Sequence, residues 1–422
     1  MMFTMPILSN KPTVAIIGAG AAGLMAADYL SQFDVTIQVF EQKPSPARKL
    51  LMAGKSGLNI SHAEPLGTFV SRYTPDDWLT PHLHALNAEH ICKFMANLGI
   101  ESFVGSTGRI FPSMMKASPL LRAWLNKLQA AKVHFFYRHS CQAITDNQAT
   151  FRVTDQAPFS QTFDAIILAT GGMSWSRLGS DGKWQAWLND DELTPFYPSN
   201  VGICRAWSQH LTHDFGKAIK RVKASVVLPN GDVESGFGDI ILTHYGMESG
   251  LIYRLNRAMR EQLEHKGTMA LTLDLLPDIR TEKLLASLTS PKKQSLSNLW
   301  RKAGLDPVKI ALLREIVPKS DWHDAQTMSL AIKNLVIAFD GFRPIDEAIS
   351  CGGGVKRQAL NQDFSLKSNP SVFCCGEMLD WDAPTGGYLL TACFATGVRA
   401  AQGVQAYLAD SPHLAGHGNA VA

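Results

Sequence analysis

The chain has 422 residues, 45% of them hydrophobic, and a formal net charge of +3. That size allows two or three domains with ample core, and the composition excludes a disordered chain. The small charge gives no case for nucleic acid or an acidic membrane surface as a partner.

No apolar run approaches the ~18 residues of a membrane span. The longest candidate, AIIGAGAAGLMAA, is rich in glycine and stops at Asp28. The N-terminal MMFTMPILSNK has no charged segment followed by a long apolar one, so no export signal is expected. Seven cysteines, an odd number without regular spacing, fit a reducing compartment. The expectation is a cytoplasmic protein.

In chain order, VAIIGAGAAGLMAADYL reads as a strand running into a helix, and TIQVFEQ as a second strand. A polar, glycine-containing loop follows to His62. Apolar spacing predicts a helix over roughly 85–98. Ser118-Pro119 is expected to open another, with serine as N-cap and proline at the first helical position. Strands follow at VHFFYR, TFRVTD and FDAIILATGG. After about Pro195 the pattern changes: SVVLPNGDVESGFGDIILT has Asn-Gly between alternating arms, a hairpin signal. TMALTLDLL is a further strand, and 281–324 is helical and polar. The chain then returns to VFCCGEMLDWDAPTGGYLLTACFATG: an apolar strand, an acid after glycine, a glycine pair and an apolar helix.

Gly18, Gly20 and Gly23 stand between the first strand and the first helix. Gly18 permits the tight turn, Gly20 lets the backbone approach a pyrophosphate, and Gly23 lets helix and strand pack. The pyrophosphate would rest on free N–H groups at the positive end of the helix. Glu41 ends the second strand, where a carboxylate accepts ribose hydroxyl protons and repels a 2′-phosphate. This half of the pattern leaves NAD and FAD open.

The second glycine turn decides between them. Gly376-Glu377 at a strand end suits an extended ribityl chain. Gly386 and Gly387 begin a helix whose amides would face the N1–C2=O edge of a reduced flavin, stabilising its negative charge. One FAD held at both ends accounts for both turns. No second strand-linked GxGxxG appears, so NAD(P)H is expected only as a transient co-substrate. The cofactor-contacting residues expected from these turns and the middle strand are Gly18, Gly20, Ala21, Ala22, Gly23, Glu41, Gln42, Ala169, Thr170, Gly171, Gly376, Glu377, Gly386, Gly387, Tyr388 and Leu389.

GAGAAGLMAA, RKLLMAGKSGLN, GRIFP, ATGGMSWSRLGSDG, THYGMESG, CGGGV and GEMLDWDAPTGGYLL, in this order, resemble the BaiN/YhiN-like flavoproteins, in their shorter branch, over nearly the whole chain. The resemblance implies a two-dinucleotide-type Rossmann-like FAD domain of α/β class. It implies a β-barrel-like insert with a small helical subdomain, and an oxidoreductase role. It places Arg48 and Lys49 near the pyrophosphate and adds Gly54 and Asn59 to the cofactor-contacting set. Two departures stand out: where the family has a glycine run followed by Arg-Cys-Asn this chain has Gly54-Lys55-Ser56-Gly57-Leu58-Asn59, and the family's Asn-Leu-Gln after GGY is Leu389-Leu390-Thr391. The expected layout is 1–194 and 346–410 for FAD, 195–280 with 325–345 for a β-rich substrate cap, 281–324 helical, and a 411–422 tail.

For chemistry the candidates are His244, Tyr245, Arg109 and Tyr388. Either of the first two suits a general acid or base if the insert covers the flavin. Arg109 suits a carboxylate substrate or the flavin edge. Tyr388 suits stacking near the ring. Adjacent Cys374 and Cys375 point to opposite sides and read as core, Cys351 is unpaired, and no metal-ligand spacing appears. The expected function is hydride transfer between a small organic substrate or NAD(P)H and flavin N5. Two rivals are an oxygen-using small-amine oxidase and a non-enzymatic flavin-binding protein that contacts RNA or protein through Lys292-Lys293 and Arg301-Lys302. The oligomeric state stays open.

Overall fold

A computed structural model describes residues 11–55, 57–75, 77–289 and 295–410. Ser56, Lys292-Lys293 and the 411–422 tail lie outside the described residues. The chain divides into two compact units, one up to Tyr197 and from Ser350 onward, the other Pro198–Ile349.

The first unit begins with β1 (Thr13–Ile17), α1 (Ala21–Leu30), β2 (Thr36–Glu41), α2 (Arg48–Ala53) and β3 (Ser61–His62). Short helices α3 (Leu66–Val70) and α4 (Thr80–Ala85) precede α5 (Ala88–Asn97), β4 (Ser102–Val104), β5 (Arg109–Pro112) and α6 (Ala117–Ala130). Strands β6 (His134–Tyr137), β7 (His139–Thr145), β8 (Gln148–Val153), β9 (Phe159–Thr162), β10 (Ala165–Leu168) and β11 (Leu193–Ser199) follow.

The second unit holds β12 (Ile203–Cys204), β13 (Ala218–Val227), β14 (Val233–Thr243), β15 (Gly246–Glu248), α7 (Gly250–Arg254), α8 (Asn256–Lys266) and β16 (Met269–Asp274). It continues with α9 (Thr281–Leu288), α10 (Leu296–Lys302), α11 (Pro307–Ile316), α12 (Ala325–Lys333), β17 (Leu335–Phe339) and β18 (Gly341–Phe342). The chain ends with β19 (Ser350–Val355), β20 (Val372–Cys374) and α13 (Tyr388–Ala409).

The fold is α/β. A parallel sheet in the order β20-β10-β1-β2-β6 forms the centre of the first unit. Val14, Ala15, Ile16, Ala165, Ile166, Ile167 and Leu168 have no exposed surface. Such unbroken apolar strands are those a parallel sheet covered on both faces requires. β7-β8-β9 and β3-β5-β4 form small antiparallel sheets. In the second unit a seven-stranded antiparallel sheet, β17-β16-β13-β14-β15-β12-β18, shares one hydrophobic cluster with Trp300, Leu312, Leu313 and Met328 from its helices. Among the described residues no helix is long and apolar enough to cross a membrane.

Of three local expectations two hold and one is corrected. The helix expected over roughly 85–98 is α5, which starts at Ala88 because the Asn87 side chain accepts from the Glu89 and His90 amides. The helix expected to begin at Ser118 has Lys116 as N-cap. Ala117 is already helical and buried, packed where Gly54 leaves room: a Cβ on Gly54 would lie 2.6 Å from the Ala117 methyl. The hairpin expected around Asn-Gly is β13-β14, whose loop is closed by Leu228 N–H donating to Asp232 O at 2.8 Å, with Gly231 at φ +92°.

His82 on α4 lies edge-on to Phe364, ring centroids 4.7 Å apart. Burial, with Arg399 and Arg357 nearby, lowers its pKa to about 4. Between pH 6.5 and about 4 the unfolded chain binds a proton there and the folded chain does not. Acidification through that window should therefore lower the melting temperature, and His82→Gln should flatten that part of the pH profile. An unchanged slope in the variant would contradict this.

Candidate functional site

The carboxyl ends of β1, β10 and β20 converge on one edge of the parallel sheet, the position where such folds bind ligands. Gly18 follows β1 with φ +107°, and a Cβ there would lie 2.3 Å from Ala169 O. Gly23, in the first turn of α1, would place a Cβ 2.0 Å from Gly18 O. Both glycines are thus required by packing. Gly20 differs: a Cβ there meets nothing within 4 Å. It is the N-cap of α1 and makes no side-chain cap, so the first amides of the helix, at Ala21, Ala22 and Gly23, have no intrahelical acceptor.

Beside this helix start lies α2, tied to the turn by Ala47 N–H donating to Ala19 O at 2.9 Å. Arg48 Nε is buried without a hydrogen-bond partner, and its Nη1 reaches Ser45 Oγ at 3.3 Å. A buried orphan guanidinium donor next to an uncapped helix N-terminus fits a bound diphosphate. Glu41 accepts from the Ala19 amide at 3.1 Å and the Lys43 amide at 2.8 Å. Burial raises its pKa against the effect of those amides. Each of its oxygens keeps a lone pair for a further donor. Gln42, whose amide donates to Gly179 O at 2.8 Å, borders an open cavity of about 540 Å³ shared with Pro44, Arg138 and Arg152.

Lys49 is placed differently from the expectation. Its ammonium donates to Glu377 Oε2 and to Ser174 Oγ, both at 2.6 Å. Burial pulls its pKa down, but the Glu377 carboxylate together with the nearby Cys351 and Cys393 outweighs that and the net shift is upward. Glu377 Oε1 also accepts from the Cys351 amide at 3.3 Å. Cys351 Sγ accepts from Met173 N–H at 3.1 Å and fills the place of a Cβ on Gly172. Its thiol pKa is pushed up to about 12, mainly by burial. Ser174 was not singled out in the sequence, although it sits within the quoted ATGGMSWS run; only the fold brings it to Lys49.

Gly376, at φ +83°, would carry a Cβ 2.8 Å from the Ala22 methyl, so the end of β20 touches the start of α1. Thr170 Oγ1 points to Met378 Sδ at 3.5 Å, and Gly171 O accepts from Trp184 Nε1 at 2.9 Å. Further along, Gly397 of α13 packs against Ala22 O, where a Cβ would lie 2.4 Å away. Nine residues separate Tyr388 from Gly397 (397 − 388 = 9), so the starts of α1 and α13 are about 14 Å apart along the α13 axis at 1.5 Å per residue.

The start of α13 is clamped to β3. Gly387 has φ +96°, and a Cβ there would sit 2.5 Å from the Ser61 backbone. Ser61 Oγ and Thr391 Oγ1 share a hydrogen bond at 2.9 Å. The Asn59 amide, oriented to donate, reaches Ser61 O at 3.0 Å and Gly386 O at 3.3 Å. The helix has no side-chain cap, which leaves the amides of Tyr388, Leu389 and Leu390 without intrahelical acceptors.

Of the four chemistry candidates, two share this neighbourhood. The Tyr388 hydroxyl donates to Glu64 Oε1 at 2.6 Å, and Arg72 Nη2 donates to Glu64 Oε2 at 2.9 Å. Burial and that carboxylate raise the Tyr388 pKa. Its ring stacks on His62, centroids 5.5 Å apart. Arg109 pairs with His62 across β5 and β3 and is exposed. His244 and Tyr245 belong to the second unit. There the Tyr245 hydroxyl donates to Glu248, its ring lies 4.5 Å from the Arg343 guanidinium, and His244 meets it edge-on at 5.1 Å. Among the described residues no cluster suits a metal ion.

The HI0933-like protein Rossmann domain matches residues 12–403. The chain belongs to that family. It is accordingly an FAD-dependent oxidoreductase, and the orphan Arg48 donor with the two uncapped helix starts fits that cofactor. A 3-dehydro-bile acid delta(4,6)-reductase of Clostridium scindens is 25% identical over 91% of this chain and 97% of its own. A ribosomal RNA dihydrouridine synthase of Haemophilus influenzae is 23% identical over 88% of this chain and 93% of its own. Among solved structures, Mycobacterium smegmatis Sdh1 in complex with UQ1 superposes with a TM-score of 0.50 at 15% identity, covering 95% of this chain and 69% of that one. That likeness is one of fold.

Proposed function

We propose that this protein reduces a carbon–carbon double bond conjugated to a carbonyl group in a small organic substrate, with NAD(P)H as the source of electrons. The observation that carries the reading is the pair of uncapped helix starts, one beside the orphan Arg48 donor and one clamped at Gly386-Gly387. FAD, when bound, would supply two-electron hydride chemistry between the nicotinamide and the substrate carbon β to the carbonyl, with a proton from solvent completing the α carbon.

In this reading the α1 amides and Arg48 hold the diphosphate, with Ala21 and Ala22 in contact. Glu41 and Gln42 take the ribose. Ala169, Thr170 and Gly171 line the passage, with Gly54 and Asn59 supporting the loop opposite. Glu377, fixed by Lys49, accepts from the sugar-alcohol chain. The amides of Tyr388 and Leu389 face the ring edge that becomes negative on reduction, and so favour the reduced state.

The names of the two relatives support the substrate class. Chemically, both describe saturation of a ring double bond activated by a carbonyl. A small molecule is favoured over ribosomal RNA because a net charge of +3 on 422 residues is weak for a phosphate-binding surface.

The test is anaerobic. One of NADH and NADPH should bleach the yellow protein, and a 3-oxo-Δ4 steroid or a simpler cyclic enone should restore the colour. If neither nucleotide bleaches it, the reductase reading fails. Peroxide released with an amine in air would instead identify an oxidase.

A further inference from the structure

Around Ile110 the sheet β3-β5-β4 has a buried face and an open one, although Val104 on the Ile110 face is 58% exposed on the edge strand. Ile110 is buried at 3% exposure, so its neighbours Arg109 and Phe111 point the other way. Residues opposite each other in register share a face. Arg109 is opposite His62, and Phe111 is opposite Phe103. The open face therefore carries His62, Arg109, Phe111 and Phe103 in a row.

Glycines keep this face flat. A Cβ on Gly108 would lie 2.6 Å from the His62 ring, and one on Gly105 would lie 3.1 Å from Phe111. Phe103 and Phe111 stack with centroids 5.6 Å apart. Phe103 is 43% exposed, and Met115 beside the row is 38% exposed. Large apolar groups left in water together, beside a polar group, mark a binding surface. Arg109 has no ion pair among the described residues and stands within this apolar row. At its other end the row meets Tyr388, the first residue of α13, through the stacked His62 ring.

We propose that this shelf is the substrate platform, and that it takes a ring-based apolar anion. The rings lie on Phe103 and Phe111, and the carboxylate or sulfonate is held by Arg109. This rests on the reading that the start of α13 faces the flavin ring, because His62 and Tyr388 then join the shelf to the reacting atoms. Charge complementarity selects the anion: a planar guanidinium with five donors matches an oxyanion, and an apolar surround strengthens the contact.

The test uses the full chain, loaded with FAD and desalted, and two fluorescent probes. One is the anion 8-anilinonaphthalene-1-sulfonate; the other is neutral N-phenyl-1-naphthylamine. The anion should bind more tightly and should shift the flavin absorption band. Arg109→Ala should weaken the anion about tenfold and the neutral probe less than about twofold. Arg109→Lys should retain most of the binding, and Phe103→Ser should weaken both probes roughly fivefold. Equal effects of Arg109→Ala on both probes, no effect on the anion, or anion binding that leaves the flavin band unmoved would each overturn the proposal. An Arg109-dependent anion preference in a yellow protein that neither NADH nor NADPH bleaches would sink the reductase reading and leave an anion shelf.

Discussion

Gly20→Val is expected to give a folded, colourless protein. The position has an extended backbone, φ −80° and ψ −173°, and no atom lies within 4 Å of where its Cβ would be. Valine therefore fits the empty fold. It projects instead into the space before α1, where the diphosphate would approach the free amides. FAD affinity should fall on the order of 100-fold. The melting temperature of the apoprotein should drop by only about 1–2 °C, the effect of a poorer N-cap in a chain of this size. Gly18→Ala is the contrasting control. At φ +107° and 2.3 Å from Ala169 O the added methyl has no room, so that variant should lose the folded state itself. Flavin absorbance and circular dichroism on both proteins check the pair of outcomes. A yellow Gly20→Val protein with normal affinity would remove the diphosphate from this turn.

Lys49 and Glu377 should prove strongly coupled. The side chains are 30% and 13% exposed, and they meet at 2.6 Å. Removing one partner of a fully buried pair costs about 3–5 kcal/mol because the other charge is stranded. Partial exposure reduces that here to about 1–3 kcal/mol for Lys49→Met or Glu377→Gln. The double variant should be less destabilised than the sum of the two, with a coupling of at least ~1 kcal/mol. Urea unfolding of the four proteins measures it, and additive effects would show that the pair carries no joint stability. FAD affinity gives a second readout: Glu377→Gln should weaken it even in the Lys49→Met background, because the carboxylate faces the ligand in the proposed arrangement.

The glycine turn after β1 was legible because its constraint is local. A tight turn, a close helix and an acid at the next strand end all lie within 24 residues, from Gly18 to Glu41. The parallel strands were legible for the same reason, as unbroken apolar runs. Lys49 and Glu377 are 328 residues apart, and no spacing rule joins them; the sequence offered a lysine near phosphates and an acid near hydroxyls. Ser174 and Cys351 were hidden in the same way, since only a folded chain brings the loop after β10 against β19. The start of α6 was misjudged because Ser118 is a good cap in isolation, whereas packing of Ala117 on Gly54 decides where the helix begins. The open row on β3 and β5 needed strand register, which Arg109 in GRIFP alone could not supply.

The contact of Gly397 with Ala22 O does more than join two helices. It makes α1 and α13 a caliper with a fixed gap, because backbone pressed on backbone leaves nothing to slide. A caliper measures length. FMN, which ends at its single phosphate, would reach only one jaw, whereas a full dinucleotide would close on both. In the proposed arrangement the protein should therefore discriminate between these flavins by reach.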